Sequence, residues 1–171
     1  PREHLAFVAD WVRAADAPLH VHLSEQVAEN EACLAHYGRT PAEHLADAGV
    51  LGPRATVIHA THLTGGDVRL LGRAGVSACF CVTTERDLSD GIGPAPELAA
   101  AGVRLTVGSD SQATIDLLEE ARGQAPAGEP IGTAQAAANL EPGRRWIRLS
   151  FYGLMFHERQ VAGPYRLGSV A

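Results

Sequence analysis

The amino-acid sequence predicts an α/β protein in which parallel strands alternate with helices. Four short apolar runs with strand character begin near residues 19, 55, 76 and 103, and helical sequence follows each of them. Parallel strands need crossover connections that are usually helices, so this alternation favours one parallel sheet. With 171 residues, 46% of them hydrophobic and 20% charged, the chain has an ordinary globular composition and can bury a single core.

The first elements are a helix, a strand and a second helix. Residues 1–17 place apolar side chains at helical spacing, and Pro18 separates this amphipathic helix from the alternating run LHVHL at residues 19–23. A helix is predicted over residues 26–37, and Gly38 just past its end is typical of a helix C-terminus.

Two capping sequences predict the starts of the next helices. Thr40, followed by Pro and then by Glu three residues on, predicts a helix through residue 48, and Thr64 predicts a helix through residue 74. Strands are predicted for ATVIHA at residues 55–60 and for the apolar run VSACFCV at residues 76–82.

Polar sequence then separates the last predicted elements. TTERDLSDGIGP at residues 83–94 predicts a long loop, and a short helix, APELAAAG, leads to the strand VRLTVG at residues 103–108. A further helix is predicted to end near residue 122, with the acidic residues 116–120 on its solvated face. The domain is therefore expected to span residues 1–123.

The C-terminal segment has a different composition. Residues 124–171 begin with a stretch rich in Gly, Ala and Pro that has almost no periodicity. Such a composition favours a linker or a poorly ordered tail.

Charge and cysteine content narrow the classes of function. The 14 basic and 20 acidic side chains give a net charge of −6, so we expect nucleic acid not to be a partner. No run approaches the roughly 18 apolar residues of a membrane span, and the N-terminus lacks a signal-peptide pattern. Three cysteines at irregular spacing favour reduced thiols and a cytoplasmic location. The absence of an initial Met predicts a piece of a longer chain.

The strand LHVHL carries the first candidate site residues. Strand alternation puts His20 and His22 on one face, and Glu25 lies just beyond the strand end. A His at the carboxyl end of a parallel strand, with Glu three residues on, suits a metal ligand beside a proton shuttle. The alternative is a half-buried structural His with a surface Glu.

Two later strands end in residues of the same chemistry. His59 closes the second strand, and Asp110 in GSDS follows the fourth. Asp can ligate a divalent metal and accept a proton, although it also commonly caps a helix. Three such residues at one edge of a parallel sheet favour a metal-dependent active site. Thr83, Thr84 and Glu85 are expected either to contact substrate at this edge or to form a solvated loop.

These residues resemble the metal-dependent deaminase branch of the amidohydrolase superfamily. The resemblance covers roughly residues 1–122 and is carried by HVHLSEQ, VIHATHLT, CVTTERDLSDGIGP and VGSDS. The TTE…L.DG pattern is similar to that of the deiminases that act on N-formimidoyl-L-glutamate in histidine degradation.

The resemblance implies a role for each site residue. His22 and Asp110 would hold Zn²⁺ or another divalent metal, and Glu25 would carry a proton from water to the leaving nitrogen. His59 would polarise the substrate or steady the attacking water, and Asp110 would also take part in catalysis. The implied reaction releases ammonia from N-formimidoyl-L-glutamate and leaves N-formyl-L-glutamate.

The resemblance also implies a partial (β/α)₈ TIM-type barrel made of strands five to eight. A complete barrel needs about 250 residues, and the family's first strand carries a His-x-His pair that nothing upstream of His20 provides. We therefore expect weak metal binding by the chain alone. The open edges would be covered by a second copy or by a complementing N-terminal half.

Two other functions remain open. The chain could descend from a deaminase of the same superfamily that acts on a purine-like ring. It could also be a non-catalytic barrel fragment, inactive because it is truncated. Both deaminase functions take a small-molecule substrate, and none of the three functions involves a membrane.

Overall fold

The structure, a computed structural model, describes residues 2–110 and 115–123. The helices of these ranges are α1 (Arg2–Ala14), α2 (Val27–Tyr37), α3 (Pro41–Asp47), α4 (Gly65–Ala74), α5 (Val82–Asp87), α6 (Ala95–Ala100) and α7 (Leu117–Gly123). The strands are β1 (Leu19–Leu23), β2 (Ala55–His59), β3 (Ser77–Phe80) and β4 (Arg104–Val107). The predicted tail, residues 124–171, lies outside the described residues.

The four strands form one parallel sheet in the order β1-β2-β3-β4. The predicted α/β architecture is therefore confirmed, with helical connections between successive strands. Because all four strands point the same way, their carboxyl ends meet at one edge of the sheet. This edge carries His59, the last residue of β2, and the segments that follow β1 and β4.

The helices cover one face of the sheet. Leu23, Val57 and Ala78 on this face are fully buried and belong to the main hydrophobic core. The alternate side chains of β1, His20 and His22, point to the opposite face and are exposed. Strand alternation thus separates the core from the face that carries the polar site.

The predicted capping sequences are confirmed in α3 and α4. Thr40 and Thr64 each accept the amide N–H three residues on, and the side chains of Glu43 and Asp67 accept in return. The Thr40 hydroxyl also donates to Asp67 at 2.6 Å, which ties the two helix starts together. These contacts fix the connection that crosses from β1 to β2.

The predicted loop over residues 83–94 is wrong at its start, where the chain forms α5. Two carboxylates satisfy the first amides of this helix: Glu85 accepts the Cys81 N–H, and Glu120 of α7 accepts the N–H and hydroxyl of Thr83. Glu120 is 0% exposed, so the predicted solvated face of residues 116–120 is wrong at that residue. A buried carboxylate must be hydrogen-bonded, and Thr83 supplies the donors.

Among the described helices, none has both the length and the apolar character needed to cross a bilayer.

The two end strands of the described sheet predict self-association. Each of β1 and β4 pairs with a single neighbour among the described strands, so its other edge is open to another chain. We expect light scattering to give an average mass above the 18.0 kDa of one chain, rising with concentration. A monodisperse 18.0 kDa species at all concentrations would contradict this prediction.

The variant Phe7→Ser/Trp11→Ser serves as a control. Both side chains lie on α1 and are 73% and 63% exposed, so they offer a separate apolar contact. Association through the strand edges persists in this variant, whereas association through the α1 face is lost.

Candidate metal centre

Three side chains from three segments converge at the carboxyl edge of the sheet. His22 lies near the end of β1, His59 ends β2, and Asp110 follows β4. One ligand atom from each lies within 4.8 Å of the others, and the two imidazole centroids are 5.3 Å apart. The structure thus brings the predicted metal ligands His22 and Asp110 together and adds His59 to the same group.

The backbone turns sharply where it presents these residues. His59 and Ala60 have φ angles of 66° and 51°, and Asp110 has a φ angle of 41°. This left-handed region is rare for residues other than glycine and costs on the order of 1–3 kcal/mol each. Strand alternation alone would place His59 on the same face as Val57; the turn ends this alternation, and the ring lies among polar groups.

Glu25 lies beside this group. Its Oε1 is 3.6 Å from His59 Nε2, and Asp110 Oδ2 is 3.8 Å from the same nitrogen. Glu29 holds the backbone at this point, because its two carboxylate oxygens accept the N–H groups of Ser24 and Glu25 at 3.1 and 3.0 Å. The predicted proton shuttle therefore faces the candidate ligands.

Burial raises the pKa of the Glu25 carboxyl. The negative charges of Asp90 and Asp110 raise it further, and His59 and His22 act in the opposite direction. Asp90 was not predicted from the sequence; it is 7% exposed, and its Oδ2 has no hydrogen-bond partner among the described residues. Its position in the Asp-Gly pair of the TTE…L.DG pattern was the available signal.

The two nitrogens of His59 have unlike surroundings. Nδ1 lies 3.2 Å from Glu85 Oε1, whereas Nε2 is buried, has no hydrogen-bond partner among the described residues and faces Glu25 and Asp110. Burial is the largest influence on the pKa of His59 and lowers it, but the hydrogen bond to Glu85 and the surrounding carboxylates together raise it.

The residues present fit a divalent cation. Buried polar atoms are almost always satisfied, so Nε2 is expected to have a partner that the described residues do not supply. Two imidazoles and a carboxylate are ligands that zinc accepts, and the further carboxylate of Glu25 adds negative charge beside them. A cation at this position would satisfy Nε2 and offset the repulsion between Glu25 and Asp110.

Thr83, Thr84 and Glu85 do not form a solvated loop. They belong to α5 and are 1%, 1% and 3% exposed. Thr83 contacts Glu120, and Glu85 contacts His59 and the Cys81 amide. The predicted contact of these three residues with a substrate stays a prediction. Glu85 also contacts His59 of the candidate site.

A model of the amidohydrolase family matches residues 1–147. The match includes every residue of the candidate site and continues past Gly123, where the recognisable motifs end. The chain therefore belongs to the amidohydrolase family.

Relatives of this family include deaminases with different substrates. The chain is 39% identical over 107 residues to formimidoylglutamate deiminase of Pseudomonas aeruginosa, an alignment that covers 63% of this chain and 24% of the relative. It is 30% identical over 154 residues to 5-methylthioadenosine/S-adenosylhomocysteine deaminase of Halobacterium salinarum, covering 88% of this chain and 35% of that protein. The aligned segment is thus about a quarter to a third of the length of these relatives.

A solved structure supports the predicted barrel. The chain matches an adenosine deaminase of Xanthomonas campestris with bound zinc at a TM-score of 0.68 and 28% identity, over 72% of this chain and 29% of the other. The prediction of a partial TIM-type barrel is therefore confirmed, with the four strands as a segment of it.

Removal of a candidate ligand should weaken metal binding. We expect zinc titration of the chain to give one weak site, and His22→Ala to lower its affinity by more than about tenfold because a ligand is lost. The matched control is His20→Ala, which removes an imidazole from the same face of β1 but outside the ligand group. Equal losses in the two variants would contradict the assignment of His22.

Proposed function

We propose that this chain provides the water-activating part of a zinc-dependent hydrolytic deaminase that acts on N-formimidoyl-L-glutamate. The observation that carries the proposal is the position of the Glu25 carboxylate beside the group formed by His22, His59 and Asp110. The similarity to formimidoylglutamate deiminase, 39% over 107 residues, supports the choice of substrate.

In this proposal His22 and Asp110 hold the cation, and His59 polarises the substrate or steadies the attacking water. A bound divalent metal lowers the pKa of water toward neutrality and polarises the substrate. Zinc is proposed because imidazole and carboxylate ligands suit it and because the Xanthomonas campestris relative contains it.

Glu25 carries the proton in the reaction. Its carboxylate takes a proton from the attacking water while the C–O bond forms at the carbon of the protonated formimidoyl group and the C=N bond becomes single. It then gives this proton to the terminal nitrogen. As the C–N bond breaks, the hydroxyl group loses its remaining proton to the Asp110 carboxylate and becomes the formyl carbonyl, so that the products are ammonia and N-formyl-L-glutamate. A raised pKa suits this role, because a shuttle works best when its pKa lies near the working pH.

The electrostatics of the described site favour a cationic reacting group. The groups that act on Glu25 and His59 are carboxylates and imidazoles. A formimidoyl group that bears a proton carries positive charge and is attracted to this surrounding. Groups that bind the two carboxylates of the substrate are proposed to come from the rest of a complete barrel.

A purine-like substrate is the second candidate. The 5-methylthioadenosine/S-adenosylhomocysteine deaminase alignment spans 88% of this chain, more than the deiminase alignment spans. Hydrolytic release of ammonia from an amino-substituted ring needs the same proton shuttle. The candidate site is thus compatible with both substrates.

Ammonia release tests the proposal directly. This chain is placed in the Pseudomonas aeruginosa deiminase in exchange for the aligned segment, so that the rest of a barrel is present. The zinc-loaded protein is incubated with N-formimidoyl-L-glutamate, and we expect ammonia when Glu25 is present and a rate at least about 100-fold lower with Glu25→Gln, which cannot carry the proton. Elemental analysis of both proteins controls for metal content. Equal rates in the two proteins would contradict the role of Glu25.

Two chimeras separate the two substrates. This chain replaces the aligned segment of the Pseudomonas aeruginosa deiminase in one and that of the Halobacterium salinarum 5-methylthioadenosine/S-adenosylhomocysteine deaminase in the other, so that each host supplies the rest of its own barrel. We expect ammonia from N-formimidoyl-L-glutamate with the first chimera and none from 5-methylthioadenosine with the second. The reverse result would establish the second candidate, and loss of activity in both chimeras would indicate a non-catalytic segment.

A further inference from the structure

Glu85 is a buried carboxylate for which the proposed reaction has no direct use. It lies in α5, is 3% exposed and is 26 residues from His59 in the sequence. Its Oε1 accepts the Cys81 N–H at 2.9 Å and lies 3.2 Å from His59 Nδ1. One oxygen therefore contacts both the backbone before α5 and the ring in the candidate site.

The contact between Glu85 and Cys81 indicates which ring nitrogen of His59 carries the hydrogen. An amide N–H is a donor only, so Glu85 Oε1 acts as an acceptor toward Cys81. An ionised carboxylate oxygen has a second lone pair, which accepts from His59 Nδ1–H. In the neutral imidazole the hydrogen is then on Nδ1, and Nε2 carries a lone pair.

The free nitrogen is the one that faces the candidate ligands. Nε2 is buried, has no hydrogen-bond partner among the described residues and lies 3.6 and 3.8 Å from the carboxylates of Glu25 and Asp110. With hydrogen on Nε2, the ring could donate to these carboxylates but could not accept a hydrogen bond from a water molecule. The contact with Glu85 therefore selects between a ring that donates and a ring that accepts at Nε2.

We propose that Glu85 is a positioning residue that fixes the tautomer and orientation of His59, with Nδ1 protonated and the lone pair of Nε2 directed at the candidate site. This inference rests on the proposed function for the role of that lone pair, which is to accept a hydrogen bond from the attacking water, but the tautomer itself is a property of the metal-free chain.

The chain offers a matched control for Glu85. Glu120 is also a buried carboxylate that accepts an N–H at the start of α5, but this N–H belongs to Thr83, and among the described residues Glu120 has no hydrogen bond with His59. Glu85→Gln and Glu120→Gln make the same chemical change next to the same helix. Any difference between the two at His59 is therefore due to the contact with the ring.

The test is nitrogen NMR of the full chain without metal, at a pH where His59 is neutral, with the His59 signals assigned by their loss in His59→Gln. We expect the wild type and Glu120→Gln to carry the hydrogen on Nδ1. In Glu85→Gln the amide can donate to Nδ1, so we expect a shift toward the Nε2-protonated form.

Each outcome decides the inference. Hydrogen on Nε2 in the wild type overturns it even if neither variant folds, and so does an unchanged tautomer in folded Glu85→Gln. An equal change in Glu120→Gln would indicate an effect of α5 stability alone. If the tautomer behaves as expected but the wild type binds no zinc, the positioning role stands and the proposed function fails.

Discussion

The buried imidazole of His59 is the constraint on which the candidate site depends. The ring is 0% exposed, and carboxylates surround both of its nitrogens: Glu85 at Nδ1, and Glu25 and Asp110 at Nε2. Burial of a polar ring is costly unless both nitrogens are satisfied. Glu85 satisfies Nδ1, whereas Nε2 faces the candidate site. The strained backbone at His59 and Ala60 is the local cost of this arrangement.

The contact with Glu85 depends in turn on α5. This helix is six residues long and includes two threonines and an aspartate, residues with modest helix propensity. Such a short helix needs stabilising contacts at its start: Glu85, within the helix, accepts the Cys81 N–H, and Glu120 of α7 supplies a tertiary contact to the Thr83 N–H. Glu120 fixes α7 to Thr83, while Glu85 fixes the start of α5 to the ring. The orientation of His59 is thus linked to a residue 61 positions further along the chain.

The sequence predicted the strands and the ends of the strands well, because these follow from local patterns. Alternation in LHVHL separates Leu23 from His22, and parallel strands bring His22, His59 and Asp110 to one edge whatever the details of packing. Residues 83–87 were predicted as a loop because their polarity is local information, whereas the partners of Thr83 and Glu85 are 37 and 26 residues distant. Burial of Glu120 depends on the same contact and was missed for the same reason.

The charges around His59 Nε2 connect the geometry of the site with the proposed chemistry. The negative charge of Asp110 opposes ionisation of Glu25, because like charges repel strongly in partly buried surroundings. Burial, and then the charges of Asp90 and Asp110, raise the pKa of Glu25. Burial lowers the pKa of His59, but the hydrogen bond to Glu85 and the nearby carboxylates raise it overall. A divalent cation offsets the same negative charge without a proton on Nε2, so it would favour the deprotonated forms of these groups. In the proposed reaction this is the form of Glu25 that takes a proton from water.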